Sequence, residues 1–471
     1  MNQNYDLIII GAGSGGLTAA DFAVKLGKKV ALVEQDKVGG DCLWTGCVPS
    51  KTLLRAAKVA HEMRHAERYG VGPAEPLVDL KSVLGHVRSV VDQVYQPETP
   101  EALRAQGTAV FLGQASFVDP HTIAVDGQTL TARRFIIATG AHPFVPPIDG
   151  LDTIDYLTYQ SVWNLEVLPQ SLTVVGGGPI GCELAQAFCR LGSKVTLVEE
   201  ESRVLPQEEP EASQVIRQRM VGEGVEFLLN SRVQRVWQQD GATHLVAGDS
   251  ELTTQALLLS VGRRPTVDGM ELERAGIEYS SRGIAVNQHL RTRQRHIYAA
   301  GDCTGGQQFT HYAGFQGFMA ARNALLPGSA RAVLPQVPRA TFTDPEVAHA
   351  GLTEAQAVEQ YGDSTAVSIW PMERVDRAIT EGDTTGFIKI VHRTNGRILG
   401  VSIVNARAGE MIHEWILAMD QKMRIGDMAN PMHIYPTYSL ASQQAALQVR
   451  LTRMLSGTSG KIVRGLSRLA R

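Results

Sequence analysis

Two cysteines that lie close together in the sequence are the residues best suited to carry chemistry. Cys42 and Cys47 are separated by four residues within the segment GGDCLWTGCVPSK. Sulfurs at this spacing predict a redox-active dithiol, which passes two electrons as it cycles between thiols and disulfide. A structural crosslink is the alternative, but closing so short a loop would stabilise the chain by only about 2 kcal/mol. A polypeptide of 471 residues already buries about three quarters of its unfolded surface, so we interpret the pair as catalytic.

A glycine-rich turn precedes this dithiol and predicts a dinucleotide site. Tyr5 to Ile10 is an apolar run typical of a strand, Leu17 to Leu26 follows as a helix, and Lys29 to Val33 as a second strand. The turn and the acid that ends the unit are Gly11, Gly13, Gly16 and Glu34. In such a unit the first glycine makes the tight turn, the second lets a pyrophosphate approach, and the third permits close helix packing. The helix N-terminus then binds the phosphates, and the glutamate accepts a hydrogen bond from a ribose.

The same unit recurs later in the chain. A second apolar run, Leu172 to Val175, leads into another glycine turn, and the run Val195 to Val198 ends at another acid. The repeated turn and acid are Gly176, Gly178, Gly181 and Glu199. Because the spacing within the two units is the same, the repeat predicts two bound dinucleotides.

Glu199 also predicts which nicotinamide is used. A carboxylate there accepts a hydrogen bond from a 2′-hydroxyl and repels a 2′-phosphate. At about 4 Å and an effective dielectric of about 20, that like-charge contact costs on the order of 4 kcal/mol. We therefore expect NADH as the electron donor. Arg203 follows closely and would favour a phosphate if it faced the site, so NADPH stays the alternative.

Composition limits the class of protein. The chain is 44% hydrophobic and 20% charged, with a formal net charge of −3, which is typical of a soluble protein and indicates no nucleic-acid partner. No apolar run reaches the roughly 18 residues of a membrane span, and the start MNQNYDLIII leaves no room for a secretory leader. Cysteines are scarce, which indicates a reducing compartment, so we expect a cytoplasmic location. Cys182, Cys189 and Cys303 have no close sequence partner and are predicted to be structural.

Beyond these patterns, the dithiol segment resembles the GG-x-C-x4-GC-x-PSK motif of the flavin-dependent pyridine nucleotide–disulfide oxidoreductases. That family includes dihydrolipoamide dehydrogenase, glutathione reductase and mercuric reductase. The resemblance covers nearly the whole chain, and its further matching segments are Ala138-Thr139-Gly140, the second glycine turn, Gly262-Arg263-Arg264-Pro265, Ala300-Gly301-Asp302 and Phe342-Thr343-Asp344-Pro345-Glu346. It implies FAD in the first site, NAD(P)H in the second, and a homodimer.

The resemblance also implies a role for each sulfur. Cys47 would be the thiol nearest the flavin, and Cys42 would exchange with the electron acceptor. The stretch after Cys42 is predicted to start a helix, whose dipole would lower the thiol pKa, and Lys51 adds a positive charge. Relatives place the residue matching Lys51 beside the reactive flavin nitrogen and pair it with a glutamate, which here is Glu183.

The resemblance implies a larger set of cofactor contacts. Asp302 is expected to bind the FAD ribityl chain, and residues 309 to 311 to start a helix whose positive end faces the flavin. The other predicted contacts are Phe309, Thr310, His311, Gly40, Ala115, Ala138, Thr139, Gly140, Gly262 and Gly301. His311 is better explained as a histidine with satisfied hydrogen bonds, so we assign it no proton transfer. We predict no resident metal site.

One segment departs from the family pattern. Relatives that act on disulfides or dithiols carry His-Pro-Thr-x-x-Glu across the dimer interface, with the histidine as base and the glutamate orienting it. This chain has Tyr435-Pro436-Thr437-Tyr438-Ser439-Leu440, so both groups are absent, and His433 matches a second histidine that relatives do not use as the base. A phenol with a pKa of about 10 is a poor proton acceptor at neutral pH, although Tyr435 can donate a hydrogen bond or line a pocket. The change argues against dihydrolipoamide and glutathione as substrates.

We therefore predict an FAD-dependent NAD(P)H oxidoreductase that passes electrons from NADH through FAD to the Cys42–Cys47 disulfide. The final acceptor is a small molecule or metal ion that the sequence does not name. Mercuric reductases also lack the histidine, and a metal ion held by two sulfurs needs no base, but those enzymes end in a cysteine pair and this chain has no cysteine after Cys303. Quinones, chlorinated oxidants and small disulfides stay open as acceptors. The alternatives are a thiol–disulfide enzyme of the dihydrolipoyl dehydrogenase type, a diaphorase that reduces quinones or oxygen directly from FAD, and, least favoured, a non-enzymatic flavoprotein subunit.

The predicted fold class is α/β, with two Rossmann-like dinucleotide-binding domains and a C-terminal α+β dimerisation domain. The predicted segments are an FAD domain over 1–147 and 265–335, an NAD(P)H domain over 148–264, a dimerisation domain over 336–450 and a basic tail over 451–471. Within the third domain, Phe387 to Val391 and Ile398 to Val404 predict a hairpin around Asn395-Gly396. For the tail we favour a solvated extension over contact with a membrane surface.

Overall fold

The computed structural model describes residues 3–456 and 461–462. Its helices are α1 Ser14–Lys25, α2 Gly40–Trp44, α3 Cys47–Arg64, α4 Leu80–Tyr95, α5 Pro100–Ala105, α6 Pro179–Leu191, α7 Pro210–Gly222, α8 Thr310–Leu325, α9 Glu354–Tyr361, α10 Asp376–Thr380, α11 Ala408–Asp420 and α12 Leu440–Leu455. Its strands are β1 Gln3–Tyr5, β2 Leu7–Ile10, β3 Val30–Glu34, β4 Thr108–Leu112, β5 Ala115–Asp119, β6 Thr122–Val125, β7 Gln128–Ala132, β8 Phe135–Ile137, β9 Ala141–Pro143, β10 Leu157–Thr158, β11 Ser171–Val175, β12 Lys194–Val198, β13 Glu226–Leu228, β14 Val233–Gln239, β15 Ala242–Ala247, β16 Ser250–Thr254, β17 Ala256–Leu259, β18 Arg263–Pro265, β19 Tyr279–Ser280, β20 Gly283–Ile284, β21 Ile297–Ala299, β22 Arg339–Thr341, β23 Glu346–Gly351, β24 Thr365–Pro371, β25 Phe387–Arg393 and β26 Ile398–Asn405.

The first glycine turn lies at the edge of a parallel sheet with the strand order β21-β8-β2-β3-β4. Strand β2 is buried along its whole length, as expected for a strand covered on both faces of a parallel sheet. The predicted run from Tyr5 to Ile10 is divided in the structure. Tyr5 belongs to β1, which pairs with β7 in a separate sheet. Asp6 lies between the two strands, and its carboxylate accepts a hydrogen bond from the Lys29 amide at 3.0 Å.

The second glycine turn occupies the equivalent place in another parallel sheet, with the order β10-β17-β11-β12-β13. Leu172 is opposite Val195 and Val175 opposite Val198, which matches the register of β2 with β3 in the first sheet. Helix α6 ends at Leu191, and Gly192 follows it with a φ of 118°, the left-handed conformation that glycine tolerates at helix ends. The sequence repeat is therefore a structural repeat.

The third part of the chain is built on an antiparallel sheet with the order β22-β23-β26-β25-β24. The predicted hairpin is confirmed, since β25 pairs with β26 in antiparallel register and Gly396 in the turn has a φ of 90°. Helices α11 and α12 share a buried core with this sheet. The core includes Trp415, whose indole donates to the Ser442 hydroxyl at 3.0 Å.

The three parts pack against one another beneath the dithiol. Leu53 and Ala57 of α3 share one hydrophobic core with α6 and with Phe387 of the antiparallel sheet. A buried arginine strengthens the junction, because Arg190 donates both to Glu223, at 2.5 Å, and to Asp344, at 2.9 Å. The helix that carries Cys47 is thus fixed by elements from all three parts.

Two sequence predictions concern the ends of these parts. The boundaries at residues 147, 264, 335 and 450 stay predictions. Of the basic tail, the structure describes only 451–456, where α12 ends, and 461–462, so Arg464, Arg468 and Arg471 lie outside the described residues. Among the residues that are described, none of the helices has the length and apolar composition required to cross a bilayer.

Candidate active site

Both glycine turns and the dithiol open onto one cavity of about 1650 Å³. The predicted residues that line it are Gly11, Gly13, Glu34, Gly40, Cys42, Cys47, Lys51, Ala138, Thr139, Gly140, Gly176, Gly178, Glu183, Glu199, Gly262, Gly301, Asp302, Phe309, Thr310 and His311. A pocket for one small molecule typically measures about 300–1,000 Å³. The cavity is therefore large enough for two ligands.

The first turn has the backbone needed for a bound diphosphate. Gly11 has a φ of 102°, and a Cβ on Gly16 would lie 1.9 Å from the Gly11 carbonyl oxygen, so neither position accepts a side chain. Gly40 approaches Gly13 so closely that a Cβ on Gly40 would lie 2.7 Å from the Gly13 Cα. The Glu34 carboxylate accepts from the Ala12 amide at 2.8 Å, which fixes it at the strand end where a ribose would sit. These features fit the ADP half of FAD.

The second turn repeats the geometry. Gly176 has a φ of 105°, and a Cβ on Gly181 would lie 1.9 Å from the Gly176 carbonyl oxygen. The Glu199 carboxylate accepts from the Gly177 amide at 2.5 Å and from the Glu201 amide at 2.8 Å. Because its position matches that of Glu34, this turn fits a second dinucleotide.

The dithiol lies between the two turns, and its two cysteines belong to different helices. Cys42 is inside the five-residue helix α2, whereas the long helix α3 begins at Cys47. The chain turns at Gly46 between the two helices. Glycine is required there because a Cβ would lie 2.9 Å from the Asp41 carbonyl oxygen. The helix start expected after Cys42 is therefore at Cys47, and the dipole of α3 acts on the Cys47 sulfur.

The two sulfurs differ strongly in their electrostatics. The Cys47 pKa is lowered to about 6, first by a hydrogen bond from the Cys42 thiol, and then by the Thr310 hydroxyl and the charge of Lys51, against an opposing effect of burial. The Thr310 oxygen lies 3.4 Å from the Cys47 sulfur. The Cys42 pKa is raised by the same hydrogen bond to Cys47 and by burial. In the reduced pair, Cys47 is thus the thiolate at neutral pH and Cys42 keeps its proton.

Lys51 and Glu183 form the ion pair that the resemblance implied. The Lys51 ammonium lies 2.7 Å from one oxygen of Glu183, and Glu183 is 5% exposed. The other oxygen of Glu183 accepts from the Phe342 amide at 2.8 Å. The pair therefore joins α3, α6 and the start of the third part at the dithiol.

Residues on the opposite wall of the cavity are also held firmly. The Asp302 carboxylate accepts from Arg263 at 2.6 Å. His311 has its Nε2 atom 2.9 Å from the Pro338 carbonyl oxygen, which agrees with a histidine whose hydrogen bonds are satisfied. Thr310 begins α8, so the positive end of a second long helix points towards Cys47.

Several predicted site residues do not lie on the cavity wall. Ala115 is 4% exposed within β5, in a hydrophobic core, and its predicted contact with the cofactor stays a prediction. Gly16 and Gly181 lie beneath the turns, where they permit helix packing. Tyr435 is 65% exposed and lies outside the cavity of its own chain as far as the described residues define it.

A group of polar residues around Asp41 escaped the sequence analysis. Tyr159, Gln160 and Arg263 all donate to the Asp41 carboxylate, and the Trp163 indole donates to the Thr45 carbonyl oxygen at 3.0 Å. The one signal available in the sequence was an acid immediately before the exchange cysteine.

The remaining cysteines are not among the residues that line the cavity. Cys182 and Cys303 are fully buried, and burial raises the pKa of Cys189 and of Cys303 to about 11. All three are therefore protonated at neutral pH, in keeping with structural roles.

Comparison with known proteins shows two family matches that cover most of the chain. Residues 5–324 match the pyridine nucleotide-disulphide oxidoreductase family, and residues 337–446 match the pyridine nucleotide-disulphide oxidoreductase dimerisation domain. The chain is 37% identical to a mercuric reductase of Bacillus cereus over 95% of its own length and 72% of that protein. It is 34% identical to a dihydrolipoyl dehydrogenase of Bacillus subtilis over 94% of its length and 98% of that protein.

A solved structure resembles the chain over its whole fold. The Cu(II) complex of the HOCl-induced flavoprotein disulfide reductase RclA from Escherichia coli superposes with a TM-score of 0.87. The two chains are 30% identical, and the match covers 95% of this chain and 100% of the RclA chain.

Proposed function

Because this chain belongs to the pyridine nucleotide-disulphide oxidoreductase family, we propose that it passes two electrons from NADH to a thiophilic metal ion held by Cys42 and Cys47. The protein is an FAD-dependent oxidoreductase that acts on sulfur groups or metal ions. The identity of the acceptor, the choice of NADH and the dimeric arrangement of the site are the proposal.

The proposed acceptor is inferred from the identity of residue 435, which is a tyrosine. Transfer of electrons to an organic disulfide needs a proton acceptor and donor near the exchange thiol. Tyr435 stands at the position of the family's histidine base, and a hydrogen bond to Asp376 raises its pKa further. A phenol with a raised pKa does not accept a proton at neutral pH. A soft metal ion needs only two sulfur ligands, so the missing histidine does not hinder it.

The dithiol is suited to this acceptor. When bound, FAD and NAD(P)H supply the two-electron transfer that reduces the Cys42–Cys47 disulfide. Cys47 is already a thiolate, and Cys42 loses its proton when both sulfurs bind the metal. For mercuric ion, the named substrate of several similar proteins, the overall reaction balances as NADH plus Hg²⁺ giving NAD⁺, Hg⁰ and one proton.

The surroundings of Glu199 support NADH as the donor. Its carboxylate is fixed by backbone amides at the end of β12 and would face a 2′-phosphate directly. Arg203, the residue that would have favoured NADPH, donates instead to the carbonyl oxygens of Glu208, at 3.0 Å, and of Pro206, at 2.7 Å. The Arg203 guanidinium therefore binds main-chain carbonyl oxygens of its own loop, which leaves it less able to bind a 2′-phosphate.

The surface around Tyr435 supports a homodimer with shared sites. Met432 is 95% exposed and Ile434 is 79% exposed, and both lie in the part that matches the dimerisation domain. Apolar side chains exposed in this way are typical of a surface that is covered by a partner. In this arrangement, the segment with Tyr435 completes the acceptor site of the partner subunit.

Steady-state kinetics with a panel of acceptors tests the proposal. We expect NADH oxidation to be faster with Hg²⁺, buffered by excess small thiol, than with lipoamide or glutathione disulfide. The variant with Cys42→Ser and Cys47→Ser should lose the metal-dependent activity, while Cys189→Ser, a matched change outside the cavity, should retain it. Faster turnover with an organic disulfide would contradict the metal acceptor. Full turnover of the double variant with a quinone would instead identify a diaphorase.

A further inference from the structure

The carboxylate of Asp41, immediately before the exchange cysteine, collects hydrogen bonds from distant parts of the chain. The Tyr159 hydroxyl donates to it at 2.7 Å, the Gln160 amide at 3.1 Å and the Arg263 guanidinium at 3.1 Å. The Asp41 side chain is 30% exposed and that of Arg263 is 19% exposed. A partly buried carboxylate with this many donors is held in one place, since hydrogen bonds to charged groups are the strong ones.

Arg263 connects this carboxylate to the opposite wall of the cavity. The same guanidinium donates to Asp302 at 2.6 Å and to the Tyr159 hydroxyl at 3.2 Å, and it lies over the Tyr159 ring, 5.5 Å from its centre. Tyr159 is itself 5% exposed. The cluster therefore spans from the short helix with Cys42 to the segment with Asp302, through one arginine.

The short helix α2 needs such support. A helix of five residues is far below the length at which helices are stable on their own. It also follows Gly39 and Gly40, which have φ values of 112° and 64°. Because glycine has no Cβ, this segment is unusually free in the unfolded chain. Its position, and with it the position of the Cys42 sulfur relative to Cys47, must come from contacts with the rest of the protein.

We propose that Asp41, held by Arg263 and Tyr159, is a positioning residue that keeps the Cys42 sulfur at bonding distance from Cys47 and so favours the disulfide form. The inference rests on the redox role proposed for this pair. Asp41 lines the cavity beside Cys42. It acts through the helix that carries Cys42.

The direction of the effect follows from the geometry of a disulfide. The bond requires Cβ atoms about 3.5–4.5 Å apart, so a scaffold that holds the sulfurs together raises their effective concentration. In a redox buffer, Cys42 and Cys47 exchange with oxidised dithiothreitol to give the protein disulfide and reduced dithiothreitol. Two electrons pass to the reagent, with one proton from Cys42 and one from the solvent. Loosening α2 weakens the disulfide more than the thiol form, where only a hydrogen bond joins the two sulfurs, and this shifts the equilibrium towards thiols.

Equilibration of the FAD-loaded protein in anaerobic dithiothreitol buffers measures the effect. Acid quenching, maleimide labelling and mass spectrometry of the peptide with both cysteines give the fraction of disulfide. We expect Asp41→Ala to shift the equilibrium constant at least tenfold towards thiols, which corresponds to about 30 mV for a two-electron couple. Asp41→Asn, which keeps one acceptor oxygen and the shape, should shift it less, and it also serves if the alanine variant does not fold.

A double-mutant cycle separates this role from general loss of structure. Tyr159→Phe should shift the equilibrium in the same direction, and the double variant with Asp41→Ala should show less than the sum of both effects, because the residues share one cluster. Asp21→Asn, a matched change at an exposed carboxylate, should have no effect. If the wild-type disulfide titrates reversibly but Asp41→Ala stays within twofold of it, the positioning role is wrong while the redox pair stands. If the wild-type peptide forms no disulfide, the proposed function itself is wrong.

Discussion

Replacing Thr310 with valine should raise the pH at which Cys47 becomes a thiolate. The Thr310 hydroxyl lies 3.4 Å from the Cys47 sulfur and is among the groups that lower the Cys47 pKa to about 6. Since the pKa is lowered, the thiolate is present above that pH and is lost as the pH falls through it. Valine keeps the shape of threonine but offers no hydrogen bond.

The size of the shift follows from the strength of that hydrogen bond. A hydrogen bond to a charged group is worth about 1.5–3 kcal/mol, and the long contact of 3.4 Å places this one at the lower end. Because one pKa unit corresponds to about 1.4 kcal/mol, we expect the midpoint to rise by about one pH unit. Thr310→Ser, which keeps the hydroxyl, should titrate close to the wild type.

Absorbance titration of the FAD-loaded Cys42→Ser variant measures this midpoint. In that background Cys47 cannot form the disulfide, the serine hydroxyl can still donate to it, and its thiolate beside the flavin gives a long-wavelength charge-transfer band. The band should disappear near pH 6 with threonine or serine at position 310, and about one unit higher with valine. Identical midpoints for valine and serine would refute the hydrogen bond as a cause of the low pKa.

Other outcomes test the two turns and the ion pair. Gly16→Ala should give a colourless protein because its Cβ would lie 1.9 Å from a carbonyl oxygen of the first turn. Gly181→Ala should stay yellow but have a much higher KM for NADH, so absorbance at 450 nm and this KM distinguish the two variants. Glu199→Gln should reduce the preference for NADH over NADPH at least tenfold in kcat/KM, because it removes a like-charge contact, and an unchanged ratio would contradict that role. Glu183→Ala should unfold at a lower temperature than Glu183→Gln, since alanine leaves the Phe342 amide without an acceptor, which costs about 1–3 kcal/mol. Equal unfolding midpoints, measured by flavin fluorescence, would argue against this role of Glu183.

The glycine turns could be predicted from the sequence because their requirements are local. A positive φ and a close backbone approach exclude every side chain, so Gly11, Gly16, Gly176 and Gly181 are explained by the turn itself. The strands around them are short, buried and apolar, which gives a clear pattern. The division of the first predicted strand at Asp6 was missed because it depends on which sheet each half joins, and that is a property of the tertiary fold.

The support of the dithiol could not be predicted in the same way. The long helix starts at Cys47, directly after the turn at Gly46, where a side chain would meet the Asp41 carbonyl oxygen. A contact within an irregular turn leaves no periodic pattern in the sequence. The partners of Asp41 are Tyr159 and Arg263, which are 118 and 222 residues away in sequence. Only the fold brings them together.

The central claim, that electrons pass through Cys42 and Cys47, is tested most directly by anaerobic titration with NADH. The wild-type protein should consume about two NADH per FAD, one for the flavin and one for the disulfide, with a long-wavelength band after the first. The variant with Cys42→Ser and Cys47→Ser should consume about one and show no such band. Equal consumption by the two proteins would contradict the account.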